Sequence, residues 1–306
     1  MDVLDTLSVP IMCAPMAGGP STPELAAAVT NAGGLGSIAG GYLSPEDFEQ
    51  ALTQTRELTG IFNANIFVPE EVRPQTTELQ RYATALEREF GEAVDVPEFN
   101  DDYFYDKIDI VLEHTPEVVT FTFGLPSPAI IRSIQTNACQ VGITITNADE
   151  AVASVEAGAD FLIVQSSDAG GHLSVHRQDQ SVTPTVLPDL VQEVRRKVCV
   201  PLVAAGGIGT VRQAQQALDA GAQAVSLGTR FLTATEAGTK PAHANALTSG
   251  EFTTTVQTRA FSGRIARGLA NTFTTTMEKE QVVGYPHVHY MTCLLYTSPS
   301  PRDATL

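Results

Sequence analysis

"TNADEAVASVEAGADFLIVQSSDAGGH", Thr146 to His172, is the stretch on which the fold turns. It opens as a capped amphipathic helix that ends in Ala-Gly-Ala, and "FLIVQ" (Phe161 to Gln165) then supplies the apolar β-formers of a buried parallel strand. The polarity flips at once into Gly170, Gly171 and His172. "GTVRQAQQALDAGAQAVSLGTRF", Gly209 to Phe231, repeats the design. A helix that carries the chain from one strand to a parallel neighbour is a β/α unit, and its repetition builds an α/β domain.

Working outward, apolar runs predict strands at Pro10–Met16, Leu35–Ala39, Phe62–Val68, Val118–Gly124, Cys139–Thr146, Phe161–Ser167, Pro201–Ile208 and Ala224–Leu232. Between them, "STPELAAAVTNAGG" and "SPEDFEQALTQTRELTG" carry Ser/Thr caps, an early proline and terminal glycine. Such a series predicts a (β/α)8 TIM barrel, with an open doubly wound sheet as the alternative. Residues 69–117 break the rhythm with acidic, helix-like stretches between the third and fourth strands, on the face where barrels place chemistry. A lid is expected there, with Tyr103, Phe104 and Tyr105 packing on the barrel.

A net charge of −17 with lysine only at Lys107, Lys197, Lys240 and Lys279 excludes nucleic acid as a partner. Salt adaptation and an ordinary acidic surface both remain open explanations of that charge. No run approaches the ~18 apolar residues of a membrane span, and "MDVLDTLSVP" lacks the features of a signal peptide, so a cytoplasmic location is expected. Cys13, Cys139 and Cys199 read as small hydrophobes in or near strands. With Cys293 they show no metal-ligand or disulfide spacing, and His287 and His289 alternate as strand neighbours would, so no metal is assigned.

The loops after strands seven and eight, "AAGGIG" and "SLGTRF", sit where barrels bind phosphate. Gly206 and Gly207 let backbone N–H groups approach an anion at a helix start, and Gly228 with Thr229 adds donors. The rest of a cofactor would then occupy the mouth, which strand six supplies with Gln165, Gly170, Gly171 and His172. Asn65 is either a satisfied core amide or a contact to a flavin edge, and Met16 is a soft group able to line the ring. A histidine beside a flavin can exchange a proton or stabilise an anionic substrate. Arg259, Arg264 and Arg267 are expected mainly in surface ion pairs, and His114 and His176 in loops or at helix ends.

The blocks "APMAGGPSTPELAAAVTNAGGLGSIAGGYLSPEDF", "NANIFVP", "VVTFTFGLPSP", "VQSSDAGGH", "PLVAAGGI", "SLGTRF", "TRAFSGRIARGLANTF" and "YPHVHYMT" together resemble the nitronate monooxygenases, formerly 2-nitropropane dioxygenases. The resemblance runs from Val9 to about Thr292. It implies an FMN-dependent TIM barrel that oxidises alkyl nitronates such as propionate 3-nitronate with O2, to a carbonyl compound plus nitrite or nitrate. It carries FMN contacts to Met16, Asn65, Gln165, Gly170, Gly171, Gly207, Ser226, Leu227, Gly228 and Thr229, and the active-site histidine to His172. Leu173 and Ser174 stand where many relatives continue with Arg-Gly, which touches the substrate contacts rather than the FMN residues.

"CLLYTSPSPRD", Cys293 to Asp303, reads as translated sequencing-library adapter, so the barrel is expected to occupy 1–292 and the remainder to be a non-native tail that replaces a further helical segment. Weak FMN retention would follow. Two rivals stay in view: an FMN- and NAD(P)H-dependent enoyl-acyl-carrier-protein reductase, which would need a basic patch for its acidic partner, and a flavin-binding barrel without turnover. The oligomeric state is left open. A dihydrouridine synthase would need a basic surface, and an inosine-monophosphate-dehydrogenase-like enzyme a cysteine in the strand-six loop.

Overall fold

Short apolar runs, each ending in a polar or glycine-rich loop, form the parallel strands of the domain. The computed structural model describes residues 3–70, 74–91 and 93–297. Its strands are β1 (Ile11–Cys13), β2 (Ser37–Ala39), β3 (Asn63–Phe67), β4 (Val118–Thr122), β5 (Gln140–Ile145), β6 (Phe161–Gln165), β7 (Gly171–His172), β8 (Leu202–Ala205), β9 (Ala224–Leu227), β10 (Thr255–Thr258) and β11 (Ala266–Leu269). The larger sheet has the order β1-β9-β8-β6-β5-β4-β3-β2, and a parallel bridge from Met12 to Leu35 joins its two edges. The sheet therefore closes into a TIM barrel, and the doubly wound alternative falls away. Each strand is shorter than its apolar run because the ladder stops where the chain bends into the mouth loops.

The helices are α1 (Val3–Thr6), α2 (Pro23–Asn31), α3 (Pro45–Leu58), α4 (Thr76–Phe90), α5 (Phe104–His114), α6 (Pro128–Thr136), α7 (Ala148–Ala157), α8 (Leu187–Arg195), α9 (Val211–Asp219), α10 (Pro241–Thr248), α11 (Thr272–Thr276) and α12 (His287–Thr297). Thr22, Ser44 and Ser127 cap α2, α3 and α6 by accepting the N–H of Leu25, Asp47 and Ile130, each ahead of a first-turn proline. Such a cap contributes about 1 kcal/mol.

Strand alternation divides the core. In β6, Leu162 and Val164 face the helices while Phe161 and Ile163 join Met12, Leu35 and Val203 in a separate cluster closed by Leu4 of α1. Phe161 occupies the space beside Gly142, where a Cβ would lie 2.3 Å from the ring.

The β3–β4 connection is less of an insertion than its length suggests. Phe104, Ile108 and Val111 of α5 belong to the main barrel core, and α5 packs on α3 and α6 as one of the surrounding helices. Only α4 departs: Leu79, Tyr82, Ala83 and Leu86 pack with Phe261, Phe273, Met277, Val282 and Val288 in a second core, which also holds Met291 of α12. A separate antiparallel sheet has the order β10-β11-β7. Of the three aromatics expected to pack on the barrel, Phe104 is buried, whereas Tyr103 is 46% and Tyr105 68% exposed.

Two expectations are corrected. His287 and His289 lie at the start of α12, not in a strand, because Pro286 opens a helix there. Cys199 is exposed in the turn before β8, while Cys13 and Cys139 are buried. Helix α12 runs through Thr297, beyond the expected boundary at residue 292, and Ser298 to Leu306 of the adapter-like stretch lie outside the described residues. Among the described residues no helix is long and apolar enough to cross a membrane.

Candidate active site

The loops after β6, β8 and β9 meet at the mouth of the barrel. Gly206 and Gly207 adopt φ of +105° and +69°, consecutive positive-φ conformations open to glycine. They also pack closely. A Cβ at Gly206 would stand 2.6 Å from Ser166 Oγ and 3.0 Å from the Ala169 nitrogen, and one at Gly207 would stand 3.0 Å from Asp168 Cβ. A Cβ at Gly170 would lie 2.6 Å from Thr229 Oγ1, and one at Gly228 3.9 Å from Met16 Sδ. Gly170, Gly206, Gly207, Gly228, Thr229 and Met16 thus come together as expected from sequence. The N–H groups of Gly206, Gly207, Ile208, Gly228 and Thr229 have no hydrogen-bond partner among the described residues. A glycine cradle with free amides at the start of α9 suits the phosphate of a flavin mononucleotide. Ser226 is buried, and the Leu227 carbonyl accepts the Ala14 N–H at 2.9 Å.

The two amides have partners within the protein. Gln165 donates to the His172 carbonyl at 3.1 Å and accepts the Ser174 N–H at 2.7 Å, so it holds the segment that carries the histidine. Asn65 is buried on the inner face of β3 and donates to Thr120 and Thr122, at 3.0 Å to each hydroxyl. Its Nδ2 is thus committed within the protein, whereas its Oδ1 has no hydrogen bond among the described residues.

His172 sits in β7, paired with Ala266 of β11, and Gly171 beside it adopts φ +73°. Its Nε2 is 2.6 Å from Ser262 Oγ. Phe123 and Tyr285 stand edge-on to the imidazole, with centroids at 5.6 and 6.4 Å. Desolvation, reinforced by His289 and Arg264, pushes His172 down to about 3, so the ring is neutral across the physiological range.

The surrounding wall is aromatic. Tyr42 stacks on His289 at 3.9 Å, Phe67 lies 5.5 Å from Tyr42, and Phe123 lies 4.5 Å from Phe67. Burial pushes His289 down to about 4. Tyr42 and Phe123 take left-handed φ of +68° and +74°, unusual for bulky residues and held here by tertiary contacts. The Tyr42 N–H donates to Asp102 Oδ1 at 2.9 Å, and Asp102 pairs at 2.8 Å with the fully buried Lys107.

The arginines correct the expectation of surface ion pairs. Arg264 is fully buried, a position made tolerable by Glu70 at 2.8 Å and by the carbonyls of Val175 and Phe123. Arg259 donates to the Gln178 and Gly263 carbonyls. Arg267 donates to the Ser167 carbonyl at 2.9 Å, with only a long 3.7 Å approach to the exposed Asp168.

Sequence reasoning passed over Tyr42, Phe123, Ser262, Tyr285 and His289 as site residues. Tyr42 and Phe123 had a usable signal, since Phe123 directly follows β4 and Tyr42 lies three residues after β2, at the end where barrels carry function. Ser262 and Tyr285 lie in the cap and had none.

Comparison with known proteins agrees with this architecture. A family model described as "Nitronate monooxygenase" matches residues 2–298. A "Probable nitronate monooxygenase" of Bacillus subtilis is 34% identical over 293 residues, 94% of this chain and 84% of that protein. One of Staphylococcus saprophyticus is 35% identical over 92% of this chain and 82% of its own length. Among solved structures, nitroalkane oxidase from Streptomyces ansochromogenes superposes with a TM-score of 0.91 at 38% identity, covering 96% of this chain and 86% of that one. FabK from Thermotoga maritima gives 0.72 at 29% identity, covering 90% and 76%.

Proposed function

Since the chain belongs to the nitronate monooxygenase family, flavin-dependent oxidoreductases that act on nitronates or nitroalkanes, we propose that it uses FMN and O2 to oxidise alkyl nitronates, propionate 3-nitronate among them. The products are a carbonyl compound and nitrite or nitrate. The observation that carries this reading is the placement of His172: a half-buried imidazole at the barrel mouth, fixed by Ser262 at 2.6 Å, beside a glycine cradle suited to phosphate.

In this reading Gly206, Gly207, Ser226, Leu227, Gly228 and Thr229 hold the FMN phosphate through main-chain and hydroxyl donors. Met16, Asn65, Gln165, Gly170 and Gly171 shape the region of the ring. Bound FMN supplies the acceptor for the electron withdrawn from the nitronate. His172 is the hydrogen-bond partner of the nitronate oxygens. Its Nε2 is occupied by Ser262, and Nδ1 is the ring nitrogen without a hydrogen bond among the described residues. An imidazole with so depressed an affinity for protons is a weak base, adequate for a substrate already ionised and poorly matched to deprotonating a neutral nitroalkane. The aromatic wall excludes water and accepts the alkyl part. The α4 cap serves as the lid.

The test is anaerobic mixing of FMN-reconstituted protein with propionate 3-nitronate, followed by air. Bleaching of the flavin that air reverses, with nitrite or nitrate released, is expected. An unchanged spectrum that NADH then bleaches would replace this reading with a reductase.

A further inference from the structure

Arg264 is the one group near the histidine for which the chemistry described so far has no use. It is fully buried, and its guanidinium carbon lies 4.4 Å from the centroid of Phe123 and 5.5 Å from that of Tyr285. Those two rings are the ones that flank His172. Nη1 donates to the Val175 carbonyl at 2.8 Å and Nη2 to Glu70 at 2.8 Å and to the Phe123 carbonyl at 3.3 Å, while the buried Nε has no hydrogen-bond partner among the described residues. Held on three protein acceptors, it offers the site a fixed position and a charge.

The framework around it is rigid. Glu70 Oε2 also accepts the Gln178 N–H at 2.8 Å, and Gln178 Oε1 accepts the Tyr285 N–H at 2.9 Å. Arg264, Glu70 and Gln178 thereby tie the exit of β3, the loop after β7 and the chain entering α12 around the two rings. The Arg264 main chain continues the same unit, since its N–H donates to Ser262 Oγ at 3.3 Å, the hydroxyl that meets His172.

We propose that Arg264 is a positioning residue that sets specificity: it clamps Phe123 and Tyr285 against His172, and its charge makes the site prefer an anionic nitronate over the neutral nitroalkane. The titratable and charged groups around the imidazole are Arg264, His289 and Tyr285, and Arg264 is paired with the Glu70 carboxylate at 2.8 Å. Burial keeps His289 neutral and the Tyr285 phenol protonated, so the Arg264–Glu70 pair is the charged element near the ring, with the guanidinium against Phe123 and Tyr285. A positive charge in a dry environment lowers the free energy of a nearby anion and leaves a neutral substrate nearly unaffected.

The inference rests on the nitronate-oxidising reading, and its test separates the two. In FMN-reconstituted enzyme, kcat/KM is measured for propane 2-nitronate and for 2-nitropropane, which differ by one proton, in the natural protein, Arg264→Gln and Glu70→Gln. Arg264→Gln should lower the nitronate-to-nitroalkane ratio about tenfold, the scale of one charge felt through a protein-like dielectric. Glu70→Gln keeps an acceptor for Arg264 but removes the opposing charge, so the ratio should rise. A purely structural role would move both ratios in one direction or neither, and either result overturns the proposal. Should Arg264→Gln not fold, the sign of the Glu70→Gln change decides alone. Histidine ring NMR gives a readout independent of turnover: His172 should titrate closer to its ordinary range in Arg264→Gln, and an unmoved titration counts against the proposal. If the natural protein oxidises neither compound, the oxidising reading fails, while the NMR result still reports on Arg264.

Discussion

The two sides of the barrel mouth are built from different material. Beside β6, β8 and β9 the working surface is main chain, with glycines whose missing Cβ atoms leave N–H groups free for an anion. Across from it, at the ends of β2, β3 and β4 and in the cap, the surface consists of large side chains held by buried polar anchors: Tyr42 by Asp102 and Lys107, Tyr285 by Gln178, and Phe123 beneath Arg264. On the main-chain side a carbon added at Gly170 or Gly206 would meet a neighbour at 2.6 Å.

The strongest way to break this contrast is to empty the cap core. Phe273, 1% exposed and stacked on Phe261 at 4.7 Å, belongs to the core that α4 and α12 share. Phe273→Ala should cost about 3–5 kcal/mol. Urea unfolding followed by a cap fluorophore and by far-UV dichroism should then show the cap melting ahead of the barrel, whereas coincident transitions would mean one cooperative unit.

Next in size is His172→Asn. Whatever neutral-nitroalkane turnover this weak base supports should fall by about 10²-fold, and turnover of the matching nitronate, which needs His172 only as a hydrogen-bond partner, by less. Steady-state rates on both substrates check this, and equal losses would deny His172 separate roles.

On the main-chain side, Gly206→Ala forces a Cβ onto Ser166 Oγ at 2.6 Å in a left-handed conformation, at a cost of about 1–3 kcal/mol. The flavin-to-protein ratio after gel filtration should drop while the His172 environment is preserved. Full retention of flavin would sever Gly206 from the phosphate.

The smallest effect is on acid stability. Burial holds His172 near 3 and His289 near 4, against 6.5 for an unperturbed imidazole. Below 6.5 the unfolded chain binds protons that the folded chain refuses, so stability is full above that pH and declines as pH falls toward 4. His289→Phe should flatten this decline in thermal melts. An identical decline would assign the acid loss to other groups.

Much of the main-chain side was legible in the sequence because its signals are local. Glycine pairs follow β-forming runs within a few residues, and strand order is inherited from the repeated β/α unit, so Gly206, Gly207, Gly228 and the loop of His172 could be located before any coordinates. The cap side was not legible. Arg264 looked like a surface charge because a sequence does not reveal that Glu70, 194 residues away, and two carbonyls meet it in the interior. His289 looked like a strand residue because two alternating histidines fit either period when the segment is short.

By itself, then, the sequence determined the closed eight-stranded architecture, its capped helices and the places where main chain is bare, since periodicity, caps and glycine conformations act over one or two turns. Only the tertiary structure decided that α5 is a barrel helix while α4 joins a second core, that Gln165 holds the His172 segment, and that Arg264 lies beneath the rings beside His172. Those outcomes depend on which distant groups share a desolvated volume, where a buried charge is tolerated only if partners from separate segments converge on it.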